Sequence, residues 1–180
     1  MQVIETAIPD VKIIEPKVFG DDRGFFFESF NQKLLSDKIG NHQFVQDNHS
    51  FSMQGVLRGL HYQLLKPQGK LVRVVTGEAY DVAVDIRKSS PTFGKWVGVH
   101  LSAQNKKMLW VPPGFAHGFL VISPQADFLY KTTEFYDPTS EHCLRWDDPD
   151  VAVKWPLTGS PSLSAKDSKG KSLHEVPHFT

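Results

Sequence analysis

An all-β sandwich or barrel is the fold class this sequence predicts, and three observations predict it. Apolar residues recur at period two, the runs are short, and Gly, Pro and Ser turn chemistry separates them. A jelly roll is one standard way for such a chain to cover its sheet edges, and its mouth would supply a pocket.

Residues 11–14 and 25–30 read as the first strands. Residues 31–39 follow with a capping Asn31, helical spacing and a Gly40 stop, which predicts one short helix. The stretch Val56-Leu57-Arg58-Gly59-Leu60-His61-Tyr62-Gln63 comes next. On a strand, residues two apart share a face, so His61 and Gln63 are both expected to line a cavity. Val72 and Val74, then Tyr80, Val82, Val84 and Ile86, alternate on either side of Thr76-Gly77-Glu78, which predicts a hairpin. Residues 95–102, 108–111, 118–122 and 128–133 are further strands, punctuated by Ser90-Pro91, Pro112-Pro113-Gly114, Ser123-Pro124 and Asp137-Pro138. After Trp155-Pro156 the composition turns to Ser, Pro, Lys and Gly, and a loop-rich C-terminal tail with brief helical turns is expected.

At 180 residues the chain fits a single domain, 1–180, with a core of its own; no repeat or low-complexity linker marks a second. Twenty basic residues balance twenty acidic ones, so no overall field draws nucleic acid or an anionic membrane, and any anion site must be local. Cys143 is the only cysteine, which forbids an internal disulfide and fits a reducing compartment; a cytoplasmic protein with no membrane segment is expected. Arg58, His61, Lys70, Tyr130 and the Lys166-Asp167 pair supply a base, cations, a phenol and a carboxylate. Those types suit proton abstraction beside a carbonyl in a bound anionic substrate.

Several blocks resemble those of one known family. They are Asp22-Arg23-Gly24 with Phe25 to Glu28, Gln46-Asp47-Asn48-His49-Ser50, Leu57-Arg58-Gly59-Leu60-His61 and Gln68-Gly69-Lys70-Leu71-Val72-Arg73. The series continues with Asp81-Val82-Ala83-Val84-Asp85-Ile86-Arg87, Pro113-Gly114-Phe115-Ala116-His117-Gly118-Phe119, Phe128-Leu129-Tyr130-Lys131 and Leu163-Ser164-Ala165-Lys166-Asp167. In this order, across nearly the whole chain, the sequence resembles the dTDP-4-dehydrorhamnose 3,5-epimerases, cofactor-independent sugar nucleotide epimerases of the cupin type. The resemblance implies a cupin-like jelly roll, or double-stranded β-helix. It also implies inversion of C3 and C5 of dTDP-4-dehydro-6-deoxy-D-glucose to give dTDP-4-dehydro-L-rhamnose, a step towards dTDP-L-rhamnose. Both hydrogens lie beside the C4 ketone, so a base, an oxyanion partner and an acid on the far face suffice without a cofactor.

The resemblance also implies roles. His61 matches the base and Asp167 its carboxylate partner, Lys70 the residue that stabilises the C4 oxyanion, and Tyr130 the acid. Tyr136 matches the residue that stacks on thymine, and Gln46, Asp47 and Asn48 lie in the block of base and sugar contacts. Arg23, Arg58 and Lys166 are implied anion contacts, Glu28 and Glu141 polar partners around the ligand, and His117 a substrate contact. A homodimer is implied too, with N-terminal strands packed on the partner and Arg23 and Glu28 reaching the neighbour's pocket; Phe25-Phe26-Phe27 fits, since three successive apolar residues on a strand cannot all face one core. A lone strand histidine is more often packed or solvated than catalytic, and His42, His100, His142, His174 and His178 are read that way. The main rival within the fold is a metal-dependent cupin, which places a His-x-His pair on the strand. Here that segment is His61-Tyr62-Gln63, so no metal is expected. Three further rivals are a binding module without chemistry, a single-site epimerase, and a keto-isomerase acting on a related dTDP-deoxysugar.

Overall fold

The computed structural model describes all residues, Met1–Thr180. Thirteen strands form: β1 (Gln2–Glu5), β2 (Lys12–Glu15), β3 (Phe19–Asp21), β4 (Gly24–Phe26), β5 (Gln46–Met53), β6 (Leu57–Gln63) and β7 (Lys70–Thr76), then β8 (Glu78–Asp85), β9 (Trp96–Ser102), β10 (Met108–Val111), β11 (Phe115–Val121), β12 (Gln125–Thr132) and β13 (Glu141–Cys143). All pairings between them are antiparallel. A six-stranded sheet in the order β1-β2-β10-β7-β12-β5 faces a five-stranded sheet in the order β13-β6-β11-β8-β9, and β3 and β4 pair only with each other. The result is a cupin-like jelly roll, the fold class expected.

The interior between the sheets is filled by Val72, Val74, Leu109 and Phe128 from one side and Ala79, Ala83, Leu101, Phe115 and Phe119 from the other. The outer face of the five-stranded sheet is covered by the C-terminal segment, where Leu144, Val151, Leu173 and Val176 pack on Leu60, Val82 and Val84. Strand β11 is therefore buried along its whole length. The single helix, α1 (Gln32–Ile39), begins where Asn31 accepts a hydrogen bond from the Leu34 N–H, and it stops at Gly40, whose φ is 92°. It buries Leu35 and Ile39 against Leu71, Met108 and Trp110 on the outer face of the six-stranded sheet.

The structure corrects several expectations. Strands β7 and β8 are not a hairpin: β7 lies between β10 and β12, and β8 between β11 and β9. Gly77, at φ 73°, carries the chain from one sheet to the other, and a Cβ there would sit 2.0 Å from the Gln125 carbonyl oxygen. The strand expected over 25–30 shrinks to β4, because its only partner is the three-residue β3. The tail after Trp155-Pro156 is loop-rich as expected, with one 3-10 turn (Asp167–Lys169), and it buries Asp167, Leu173 and Val176.

Candidate active site

The inner faces of the strands change character along their length. On β7 the inward series runs Val74, Val72, Lys70, and on β12 it runs Phe128, Tyr130, Thr132. At the polar end lies a cavity of about 280 Å³ lined by Ser50, Arg58, His61, Lys70, His117, Gly118, Phe119, Tyr130, Ser164, Lys166 and Asp167. Seven residues singled out in the sequence thus meet in one space.

Strict alternation would not put Arg58 and His61 on the same side, since they are three apart. A bulge does so: His61 pairs with His117 and Arg58 with Phe119, so three steps along β6 match two along β11. Gly59 (φ 124°) and Gly118 permit it, because a Cβ on Gly59 would lie 2.6 Å from the Gly118 Cα.

His61 Nε2 lies 2.5 Å from Asp167 Oδ1. Facing a carboxylate, Nε2 is the nitrogen that carries the proton, and Nδ1 is left as the basic atom. Asp167 is 4% exposed, and burial pushes its carboxyl up. Hydrogen bonds from His61 and from Ser164 (2.7 Å), the attraction of the His61 ring when it is protonated and the Gly59 N–H together outweigh burial and hold it below the usual carboxylate range. Asp167 therefore stays ionised and orients the imidazole. The Ser164-x-x-Asp167 spacing resembles a capping box, a signal by which Ser164 was legible in the sequence.

Lys70 is 9% exposed and has only the His61 carbonyl oxygen, at 3.5 Å, as an acceptor. Burial pulls its ammonium down to about 8, with Glu141 and Asp81 acting to raise it and Lys166 to lower it. Burial pushes the Tyr130 phenol up, Glu141 adds to the effect and Arg58 opposes it, so the hydroxyl keeps its proton at neutral pH. His117 is buried with Nε2 3.0 and 2.9 Å from the two oxygens of Asp81. Burial lowers its pKa despite that carboxylate, and the ring is neutral.

The rim is hydrogen-bonded as a unit. Gln46 donates to Asn48 Oδ1 (2.9 Å) and accepts from the Tyr136 N–H (3.0 Å); the Tyr136 hydroxyl donates to Glu141 Oε2 (2.8 Å), which also pairs with Lys166. Three expected residues lie elsewhere. Asp47 points to the opposite face of β5, where it pairs with Lys131 at 2.8 Å. Arg23 is on the exposed β3–β4 hairpin, paired with Asp21, and Glu28 accepts from Asn31 beside the helix. Gln63 does not line the cavity as expected: it is 3% exposed and braces the 134–137 loop through the Lys66 and Phe135 carbonyls and the Asp137 N–H.

One nitrogen, one sulfur and one oxygen donor, from His61, Cys143 and Asp167, lie within 4.8 Å of one another. Metal ligation needs a thiolate, and burial pushes the Cys143 thiol up to about 12; Asp167 is already engaged by His61 and Ser164. The set is a hydrogen-bonded acid–base pair with a neutral thiol beside it. The remaining histidines have mundane partners: His49 pairs with Asp127, His100 with Glu78, His174 with Asp150 and His178 with the Leu173 carbonyl, while His42 packs on Trp110 and His142 on Tyr62. No helix is long and apolar enough to cross a membrane.

The family model described as dTDP-4-dehydrorhamnose 3,5-epimerase matches residues 5–175. The chain is 60% identical over 182 residues to a dTDP-4-dehydrorhamnose 3,5-epimerase of Shigella flexneri, covering 99% of each. It is 57% identical over 180 residues to one of Pseudomonas aeruginosa, again covering 99% of each. A crystal structure of a dTDP-6-deoxy-D-glucose-3,5-epimerase from Legionella pneumophila in complex with dTDP-4-keto-L-rhamnose superimposes with a TM-score of 0.96 at 54% identity, over 98% of this chain and 94% of that one. With its jelly roll, its acid–base cavity and these relatives, the chain belongs to the dTDP-4-dehydrorhamnose 3,5-epimerase family.

Proposed function

We propose that His61, Lys70 and Tyr130 carry out the family's reaction on a single sugar ring held in the 280 Å³ cavity. The enzyme is an isomerase. It inverts C3 and C5 of dTDP-4-dehydro-6-deoxy-D-glucose, giving dTDP-4-dehydro-L-rhamnose for dTDP-L-rhamnose biosynthesis. His61 Nδ1 removes the proton beside the C4 ketone, and the imidazolium so formed is stabilised by the ionised Asp167. The electron pair moves onto O4, where the Lys70 ammonium meets the developing charge. Tyr130 returns a proton from the opposite face of the ring; its phenolate then takes a proton from solvent and the His61 imidazolium releases one, which resets both groups. The same sequence at the second carbon completes the double inversion. Every atom is accounted for by proton transfer, so the reaction needs no metal, redox group or other cofactor.

At the rim of the cavity Tyr136 stacks on thymine with Gln46 and Asn48 beside it, and Arg58 and Lys166, which line the cavity, meet the diphosphate. Arg23 and Glu28 act in the pocket of a second copy. What supports this is the hairpin that carries Arg23: Phe19, Phe25 and Phe26 are 54%, 63% and 67% exposed, an apolar surface suited to burial in a homodimer. The free Cys143 supports a cytoplasmic site of action.

The observation that carries the reading is the meeting of the His61–Asp167 pair, Lys70 and Tyr130 around one cavity. Turnover of dTDP-4-dehydro-6-deoxy-D-glucose in heavy water, followed by NMR of the product, tests it. Deuterium at both C3 and C5 is expected; label at one carbon alone assigns a single-site epimerase instead.

A further inference from the structure

Three carboxylates surround the cavity, and each is bound to a different basic group. Asp167 belongs to His61 and Glu141 to Lys166, while Asp81 holds His117 through both of its oxygens. Asp81 is fully buried and follows the inward alternation of β8, between Ala79 and Ala83. It takes no part in the proton transfers at the sugar ring.

Lys70, by contrast, has no carboxylate in contact. Its neighbours come from seven elements. Strand β6 brings Arg58 and His61, β8 brings Asp81, β11 brings His117, β12 brings Tyr130, β13 brings Glu141, and the tail brings Lys166 and Asp167; from β10 and β12, Val111 and Thr132 pair with Lys70 and carry no charge. Glu141 and Lys166 are an ion pair and act on Lys70 with opposite signs, so much of their influence cancels. Burial lowers the His117 pKa, so its ring, held by Asp81 at 3.0 and 2.9 Å, offers that carboxylate no full counter-charge, and Asp81 acts to raise the Lys70 pKa.

We infer that Asp81 is a positioning residue that acts through His117 in two ways: its buried charge is the standing counter-ion for Lys70, and its bidentate grip turns the free Nδ1 of His117 to the cavity as an acceptor. A buried ammonium far from any counter-charge would lose its proton and with it the ability to stabilise an enolate. The carboxylate is set behind a neutral ring rather than against Lys70 itself. A direct ion pair would hold the ammonium away from O4; a counter-charge one residue removed keeps it charged and free to bind. This inference rests on Lys70 being the cation at O4.

Nitrogen-15 NMR of the lysine side chains of the full-length protein, without substrate, reads the charge on Lys70 directly, and two variants separate the possibilities. In Asp81→Asn, an isosteric change that removes the charge, Lys70 is expected to lose its proton about one pH unit lower, and the basic limb of kcat moves with it. At pH values above the limb that amounts to about a tenfold further loss of rate. In His117→Asn the Asp81 charge remains, so Lys70 titrates at or above its wild-type pH. An unchanged Lys70 titration in Asp81→Asn, or a downward shift in His117→Asn, overturns the inference. The second result decides it even if Asp81→Asn does not fold. Deuterium labelling by the wild-type enzyme tests the epimerase reading separately, so either can fail without the other.

Discussion

In the proposed reaction Lys70 carries charge in a place that penalises it, and that tension makes it the most informative single residue. A cation whose pKa is lowered by burial is protonated below its folded value and neutral above it. With that value pulled down to about 8, activity should be level near neutrality and fall as pH rises through about 8, an order of magnitude per unit. A pH–rate profile checks the sign. Lys70→Met removes the oxyanion partner and should lower kcat by about a hundredfold to a thousandfold, the usual cost of one such donor, with dTDP affinity little changed by calorimetry. Residue by residue, the sequence displayed the groups assigned to the proposed reaction: His61, Lys70, Tyr130 and Asp167 all stand in blocks that resemble the family's. It hid those that hold them. Asp81 looks like the polar half of an alternating strand, because the apolar half, Tyr80, Val82 and Val84, packs under the tail, and the face with Asp81 turns inward.

At the scale of the elements, the bulge between β6 and β11 decides which side chains share the cavity. Gly59→Ala puts a Cβ against Gly118 at 2.6 Å and on a φ of 124°. A loss of about 1–3 kcal/mol in stability is expected, with a fall in kcat/KM as Arg58 and His61 lose their common side. Thermal unfolding and steady-state kinetics measure the two. Nothing in the spacing of the 56–63 stretch announced that bulge, since strict alternation pairs His61 with Gln63. The helix was legible, because its signals are local: Asn31 as cap and Gly40 as stop. The hairpin expected at Thr76-Gly77-Glu78 was wrong for a nonlocal reason. Gly77 serves a crossing between sheets, and only the partners β10, β12, β11 and β9 distinguish that from a turn between neighbours. Strand β5 left no apolar stripe to read because its inward residues are polar, Gln46 and Asn48 at the rim of the cavity and Ser50 in its lining.

Across the whole molecule, two sheets close over an apolar core at one end and leave a polar chamber at the other. The β3–β4 hairpin extends outside that body and exposes aromatic surface beside Arg23. If it completes a second copy's site, the double substitution Phe25→Ser, Phe26→Ser should give monomers in sedimentation and raise KM, while the melting of an isolated protomer changes little. Dimers with unaltered KM would rule the arrangement out. The proposed catalysis depends most on two groups, an imidazole and a phenol, working on one ring from opposite sides. Hydrogen exchange in heavy water by His61→Asn and Tyr130→Phe, read by NMR of the recovered nucleotide sugar, tests it most directly. Tyr130→Phe should still replace ring hydrogen with deuterium while producing little inverted sugar, and His61→Asn should do neither. Exchange that persists in His61→Asn would contradict the assignment of the base.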